Sequence, residues 1–138
     1  MKKNKDKYFL SHKFTGLKYE DINKDLSYIR DELFPSNSEY FCSLWMQEFF
    51  EKNNMSEDDI YKYCLEEQEK SNIFIAYITS DKMSKGMQLE LDKAVELKQK
   101  IILIIKQDLI RDKKFSKFIN NFDEIYSFTE DISEIKKL

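Results

Sequence analysis

The segment Ser84-Lys85-Gly86-Met87-Gln88-Leu89-Glu90-Leu91 carries the residues of this chain best suited to chemistry. Ser84 stands where a helix N-cap belongs, and Gly86 lets a ligand approach the backbone closely. Free N–H groups at a helix start, with the positive end of the helix dipole, suit a phosphate or another anion. Glu90 lies one turn further in. Met87, Leu91, Ala94, Val95 and Leu97 form the apolar stripe of this helix, and at ~100° per residue Glu90 falls inside the stripe rather than opposite it. Two readings are open. A carboxylate on the sheet-facing side costs free energy unless it is paired or used. Alternatively, Glu90 is a rim residue reaching solvent, as Lys98 on the same stripe must be.

The other candidates are weaker. His12 is the single histidine of the chain, which argues against a His-based metal site or a Ser-His-Asp triad. It reads as a loop hydrogen-bonding residue or a phosphate contact. Cys42 and Cys64 have no metal-ligand spacing and read as reduced thiols. Cys64 reads as a small buried residue, because Glu66 and Glu67 supply the wrong sign for a reactive thiolate. Neither a metal nor a cofactor is expected. Tyr19 either covers a helix entrance or serves the site. Tyr40, Phe41, Trp45, Phe49 and Phe50 read as core or subunit contact, and the run Glu66-Glu67-Gln68-Glu69-Lys70 as a solvated helix face.

The elements that must position these groups alternate between strand and helix. Residues 7–11 read as a short buried strand and 17–34 as an amphipathic helix on Leu17, Ile22, Leu26, Ile29 and Leu33, stopped by Pro35. Tyr40 to Trp45 is a candidate second strand, with a helical turn or two from Met46 to Lys52. Ser56 and Asp59 form a capping box ahead of a helix. Residues 72–79 and 100–106 are apolar on both faces, as in the middle of a parallel sheet. Between them, 86–99 reads as a helix. Residues 108–121 read as a further helix, 124–128 as a last strand and 132–138 as a short terminal helix. This order predicts a single Rossmann-like, flavodoxin-like α/β domain over residues 1–138. Its sheet has about five parallel strands, with helices on both faces. Ligands of such sheets bind at the carboxyl ends of the strands, at the switch in strand order. The loops to inspect are therefore 11–17 and 80–86.

Composition agrees. The chain has 138 residues, 41% hydrophobic and 14% aromatic, enough for a core. A net charge of −3 argues against a general nucleic-acid binder. Two glycines and one proline are poor material for an all-β domain or a Gly-rich nucleotide loop. No stretch approaches the ~20 apolar residues of a membrane span. The apolar run behind the basic start is too short for a signal peptide, so a cytoplasmic location is expected.

Three segments carry a resemblance: Tyr8 to Gly16; Tyr19-Glu20; and Asn72 to Ile78 through Ser84-x-Gly86-x-x-x-Glu90-Leu91 to Ala94 and the strand Lys100 to Ile105. In these the chain resembles the nucleoside 2-deoxyribosyltransferase superfamily, and within it the 2′-deoxynucleoside 5′-monophosphate N-glycosidases. The resemblance implies Glu90 as catalytic glutamate and Ser84 as a 5′-phosphate contact, with Gly86 beside it. It implies Tyr19 near the active site, and Ser11 and His12 on a phosphate- or base-contacting loop. It also implies a nucleotide or nucleoside as partner and a homodimer or larger. Cys64 stands where the family usually places a substrate-holding aspartate, and Tyr77 at a position that is often acidic. The Ser84-to-Glu90 spacing also resembles TIR domains, whose glutamate cleaves NAD, although Lys85-Gly86 replaces their usual Trp-Cys. A binding module that keeps the fold without the reaction is the alternative from another class.

Overall fold

In the computed structural model, residues 6–12, 18–34, 39–80, 84–111 and 121–138 are described. Strand β1 (Lys7–His12) is followed by helix α1 (Tyr19–Tyr28), which runs into a π-helical turn over Ile29–Leu33. Strand β2 (Glu39–Cys42) leads through a 3-10 turn into α2 (Gln47–Lys52). Helix α3 (Glu57–Glu69), strand β3 (Ile73–Ile78), helix α4 (Lys85–Glu96) and strand β4 (Lys100–Lys106) come next. Strands β5 (Glu124–Phe128) and β6 (Lys136–Lys137) complete the sheet. Among the described residues the sheet order is β2-β1-β3-β4-β5-β6. The first five strands pair in parallel, and β6 lies antiparallel on β5.

This is the doubly wound arrangement expected, with its switch point between β1 and β3. All six residues of β3 are buried. Alternation sends Phe74, Ala76 and Ile78 to one face, with Phe9, Leu103 and the α4 residues Met87, Leu91 and Ala94. Ile73, Ile75 and Tyr77 go to the other, with Leu10, Ile104 and the α1 residues Ile22 and Leu26. Helices α3 and α4 thus cover one face and α1 the other.

The capping box forms as expected: Ser56 Oγ accepts from the Asp59 N–H at 3.1 Å and the Asp59 carboxylate accepts from the Ser56 N–H at 3.3 Å. Other details differ. The second strand ends at Cys42, and Ser43–Met46 is a 3-10 turn. The expected terminal helix is a 3-10 turn at Ile132–Glu134 followed by β6. An Asp131–Glu134 capping box closes that turn and Ile132 is buried beneath it. Beyond it, backbone groups of residues 136–138 pair with the open edge of β5. Helix α4 stops at Glu96, short of residue 99, because Lys98 takes a left-handed φ of 57°. Val95 and Leu97, expected inside the apolar stripe, are 40% and 37% exposed. The aromatic cluster divides: Phe41 and Phe50 are core, whereas Trp45 lies half-buried with Arg30 4.6 Å over its ring. Most of the helix expected over 108–121, together with Leu17, Pro35 and the loop residues 13–16 and 81–83, lies outside the described residues.

Candidate active site

Among the described residues, cavities open on opposite faces of the sheet at the carboxyl ends of the strands beside the switch point. The first, about 290 Å³, lies on the α3/α4 face. Its described lining is His12, Ser43, Glu57, Ile60, Tyr61, Cys64, Ser84, Gly86, Met87 and Glu90. Sequence alone places Glu57, Ile60, Tyr61 and Cys64 at i, i+3, i+4 and i+7, so one stripe of α3 forms one wall. The first turn of α4 forms another, and the ends of β1 and β2 close the floor.

Glu90 is half-buried, and its carboxyl is held from the sheet: Ser11 Oγ donates to Glu90 Oε1 at 2.8 Å. Ser11 is itself buried, in register with Ala76 on β3. Burial pushes the Glu90 carboxyl up to about 7, and the Ser11 hydrogen bond offsets only part of this. Among the described lining there is no Lys or Arg. Glu90 is thus a half-buried carboxyl on the cleft wall, paired with a neutral hydroxyl on the sheet-facing side. A carboxyl poised near neutrality in a cleft is the state that acid–base or nucleophilic chemistry uses.

The remaining candidates are placed as follows. Ser84 caps α4, its Oγ accepting from the Met87 N–H at 3.1 Å, which leaves the hydroxyl hydrogen free to point into the cleft. Gly86 lies at the mouth, where a Cβ would meet no protein atom within 4 Å. His12 Nε2 and Ser43 Oγ are 3.4 Å apart across the floor. Tyr19 opens α1, is 49% exposed and is not among the described residues lining either cavity. Cys64 is buried in the cleft wall, and burial pushes its thiol up to about 12, far from a reactive thiolate.

The second cavity, about 470 Å³, lies on the α1 face and is lined by residues including Asp25, Tyr77, Lys106 and Phe128. The Tyr77 hydroxyl donates to Asp25 Oδ2, and burial raises both groups. Tyr77 points away from Glu90, so its departure from the resemblance does not touch the Glu90 cleft; that of Cys64 does. The larger cavity lacks an enclosed acid without a close tyrosine partner, and the smaller one is the better candidate for chemistry. Ser43, Glu57 and Tyr61 were not singled out from sequence, although the α3 stripe through Cys64 contains two of them. A further expectation is overturned: in the run 66–70, Gln68 is fully buried and Glu67 pairs with Lys7 at 2.9 Å. Among the described residues no group of three or more His, Cys, Asp or Glu is placed to hold a metal ion, and no helix is long and apolar enough to cross a membrane.

No family model matches the chain, and no curated protein matches it. Solved structures do. The chain is similar to the CMP N-glycosidase BcmB of Clostridium botulinum, with a TM-score of 0.64 and 17% identity over 94% of this chain and 93% of that one. It is also similar to the 2-deoxyribosyltransferase of Bacillus psychrosaccharolyticus, with a TM-score of 0.60 and 16% identity over 92% of this chain and 88% of that one. Over nearly its whole length, this chain shares the α/β fold of an N-glycosidase and a deoxyribosyltransferase.

Proposed function

We propose that this protein is an N-glycosidase or a deoxyribosyltransferase-like enzyme that cleaves the N-glycosidic bond of a (deoxy)nucleoside 5′-monophosphate. The observation that carries the reading is the enclosed Glu90 carboxyl, hydrogen-bonded by Ser11 at 2.8 Å beside the N-terminus of α4. The C1′–N bond breaks, its electron pair leaves with the base, and positive charge develops at C1′. The ionised Glu90 stabilises that charge or attacks C1′ to form a glycosyl ester. Water then delivers hydroxide to C1′, displacing the Glu90 carboxylate where the ester has formed, and its proton goes to the released base; a second base that bonds C1′ through nitrogen and gives its N–H proton to the released base yields transfer instead. Ser11 orients the carboxylate. Ser84 and the N–H groups at the start of α4 receive the phosphate, fixing the sugar over Glu90. His12 and Ser43 sit across the cleft floor to contact the phosphate or base. Tyr19 has no part in this reading. The fold shared with a CMP N-glycosidase supports a nucleotide substrate.

A second reading, a nucleotide-binding module without turnover, is favoured by Cys64. This apolar thiol stands in the cleft wall where the resemblance places an aspartate. The test is chromatographic product analysis with nucleosides, their 5′-monophosphates and NAD, each with and without a second free base. Base release from a monophosphate, lost in Glu90→Gln, is expected. Exchange between bases identifies a transferase. Nicotinamide release identifies a TIR-like NAD glycohydrolase. Absence of release, with a monophosphate raising the melting temperature, identifies the binding module.

A further inference from the structure

Gln68 is a fully buried amide in a charged stretch of α3. Its Nε2 donates, at the long distance of 3.5 Å, to Gln99 Oε1 and, at 2.7 Å, to the backbone carbonyl of Glu90. That carbonyl already has a donor within the helix, four residues on, so it does not need Gln68 for its own satisfaction. The side chain of Gln99 completes a clasp, its Nε2 donating to the carbonyls of Gln68 at 2.6 Å and Ser71 at 2.8 Å. The amide orientation is dictated, because a carbonyl can only accept and the nitrogen must face it. The cost is visible: Gln68 Oε1 is buried without a hydrogen-bond partner among the described residues. An apolar side chain of this size would avoid that cost. A buried amide that leaves its own oxygen unpaired to reach a carbonyl already bonded within its helix calls for another explanation.

We propose that Gln68 is a positioning residue for Glu90, fixing the height of the α4 turn that carries the carboxyl. This rests on the proposed role of Glu90. Ser11 on β1 holds the carboxyl and Gln68 on α3 holds the peptide of the same residue, so Glu90 is fixed from two elements. Without Gln68, α4 can slide along α3, and displacement of a fraction of an ångström degrades a reacting geometry.

The test uses Gln68→Met, which keeps side-chain length and removes both the donor and the orphaned oxygen. The urea midpoint should change little, because removal of the orphaned oxygen offsets the loss of the long 3.5 Å donor to Gln99 Oε1. Carboxyl NMR should show the Glu90 titration midpoint moving up by about 0.5 unit or more as the Ser11 bond loosens. The groups facing that carboxyl in the cleft, His12, Glu57, Tyr61 and Cys64, are unchanged in the variant. Turnover should fall about tenfold in kcat with little change in KM. Glu69→Gln, which removes only the surface Lys93–Glu69 pair between the same helices, should move neither reading. A folded Gln68→Met with a wild-type Glu90 titration midpoint overturns the proposal, and so does wild-type kcat in an active enzyme. Should Gln68→Met fail to fold, Gln68→Asn, which withdraws the nitrogen by one methylene, is judged by the same two readings. Retained turnover in Glu90→Gln would sink the catalytic reading instead, leaving the titration to decide whether Gln68 positions that carboxyl.

Discussion

Glu90→Gln should stabilise this protein at pH 8 and leave its stability nearly unchanged at pH 4. Burial raises the carboxyl from an ordinary 4.5 to about 7 in the folded chain. Between those values the folded protein holds a proton that the unfolded chain has released. Stability therefore falls as pH rises from 4.5 through about 7, and levels off above. A gap of about 2.5 units, at ~1.4 kcal/mol per unit, is worth about 3 kcal/mol. Solvent reaching the half-buried residue through the cleft reduces this to ~2 kcal/mol. Glutamine has nearly the same shape, its oxygen can accept from Ser11, and it carries no charge to bury. The assay is urea unfolding of both proteins from pH 4 to 8 at constant ionic strength, reading the difference in ΔG. Other titrating groups largely cancel in that difference. A difference that stays flat across the range, or a variant less stable than wild type at pH 8, would refute the buried-carboxyl reasoning. The measurement needs no substrate. It also states the trade-off that the proposed function implies: ionised Glu90 is a stability cost retained at a working site.

Four further outcomes are expected. If ionised Glu90 is the working form, kcat/KM should rise with pH through about 7; a profile that only falls there would assign Glu90 as a general acid instead. Tyr77→Phe strips the half-buried Asp25 of its hydroxyl donor and should cost about 1 kcal/mol in urea unfolding, without altering the Glu90 titration. Gly86→Ala places a methyl where no protein atom lies within 4 Å, so thermal unfolding should be unchanged or slightly higher. Its KM for a monophosphate should rise, because the methyl enters the mouth of the cleft. Glu124 pairs with Lys100 at 2.6 Å and Lys137 at 3.1 Å, and its pKa is lowered to about 2, chiefly by the Lys100 hydrogen bond. Its contribution is present above the ordinary 4.5 and lost as pH falls through about 2. Glu124→Gln should cost ~1 kcal/mol at pH 7, limited by the exposed lysines, and almost nothing near pH 2.

How far the sequence reaches depends on the range of the interaction that decides each feature. The runs Ile73–Ile78 and Lys100–Lys106 read as central strands because burial on both faces needs an unbroken apolar stretch. Ser56 and Ser84 read as caps because a cap involves only the next three residues. Glu90 reads as lying inside the stripe of its own helix because that placement needs only the helical period. Composition and periodicity also brought out the doubly wound order, and with it the end of the sheet where such folds bind ligands. The terminal strand was missed because two lysines carry no strand pattern; the open edge of β5 recruits them.

Periodicity tells which flank of a helix is apolar, and nothing about what stands against it. Val95 and Glu90 lie on opposite flanks of the same stripe, yet Val95 faces solvent while α3 reaches the Glu90 turn through Gln68. Gln68 reads as solvated between glutamates because its partners, Glu90 and Gln99, are 22 and 31 residues away. The Ser11–Glu90 bond spans 79 residues and the Tyr77–Asp25 bond 52. The sequence by itself determined the elements of the sheet centre and their order, and placed Glu90 inside an apolar helix stripe, because these follow from local propensity and the alternation of apolar residues. Only the tertiary structure decided that this carboxyl is enclosed, neutral-partnered and clamped from two sides, because desolvation and hydrogen bonding depend on which distant residues the packed sheet brings against it.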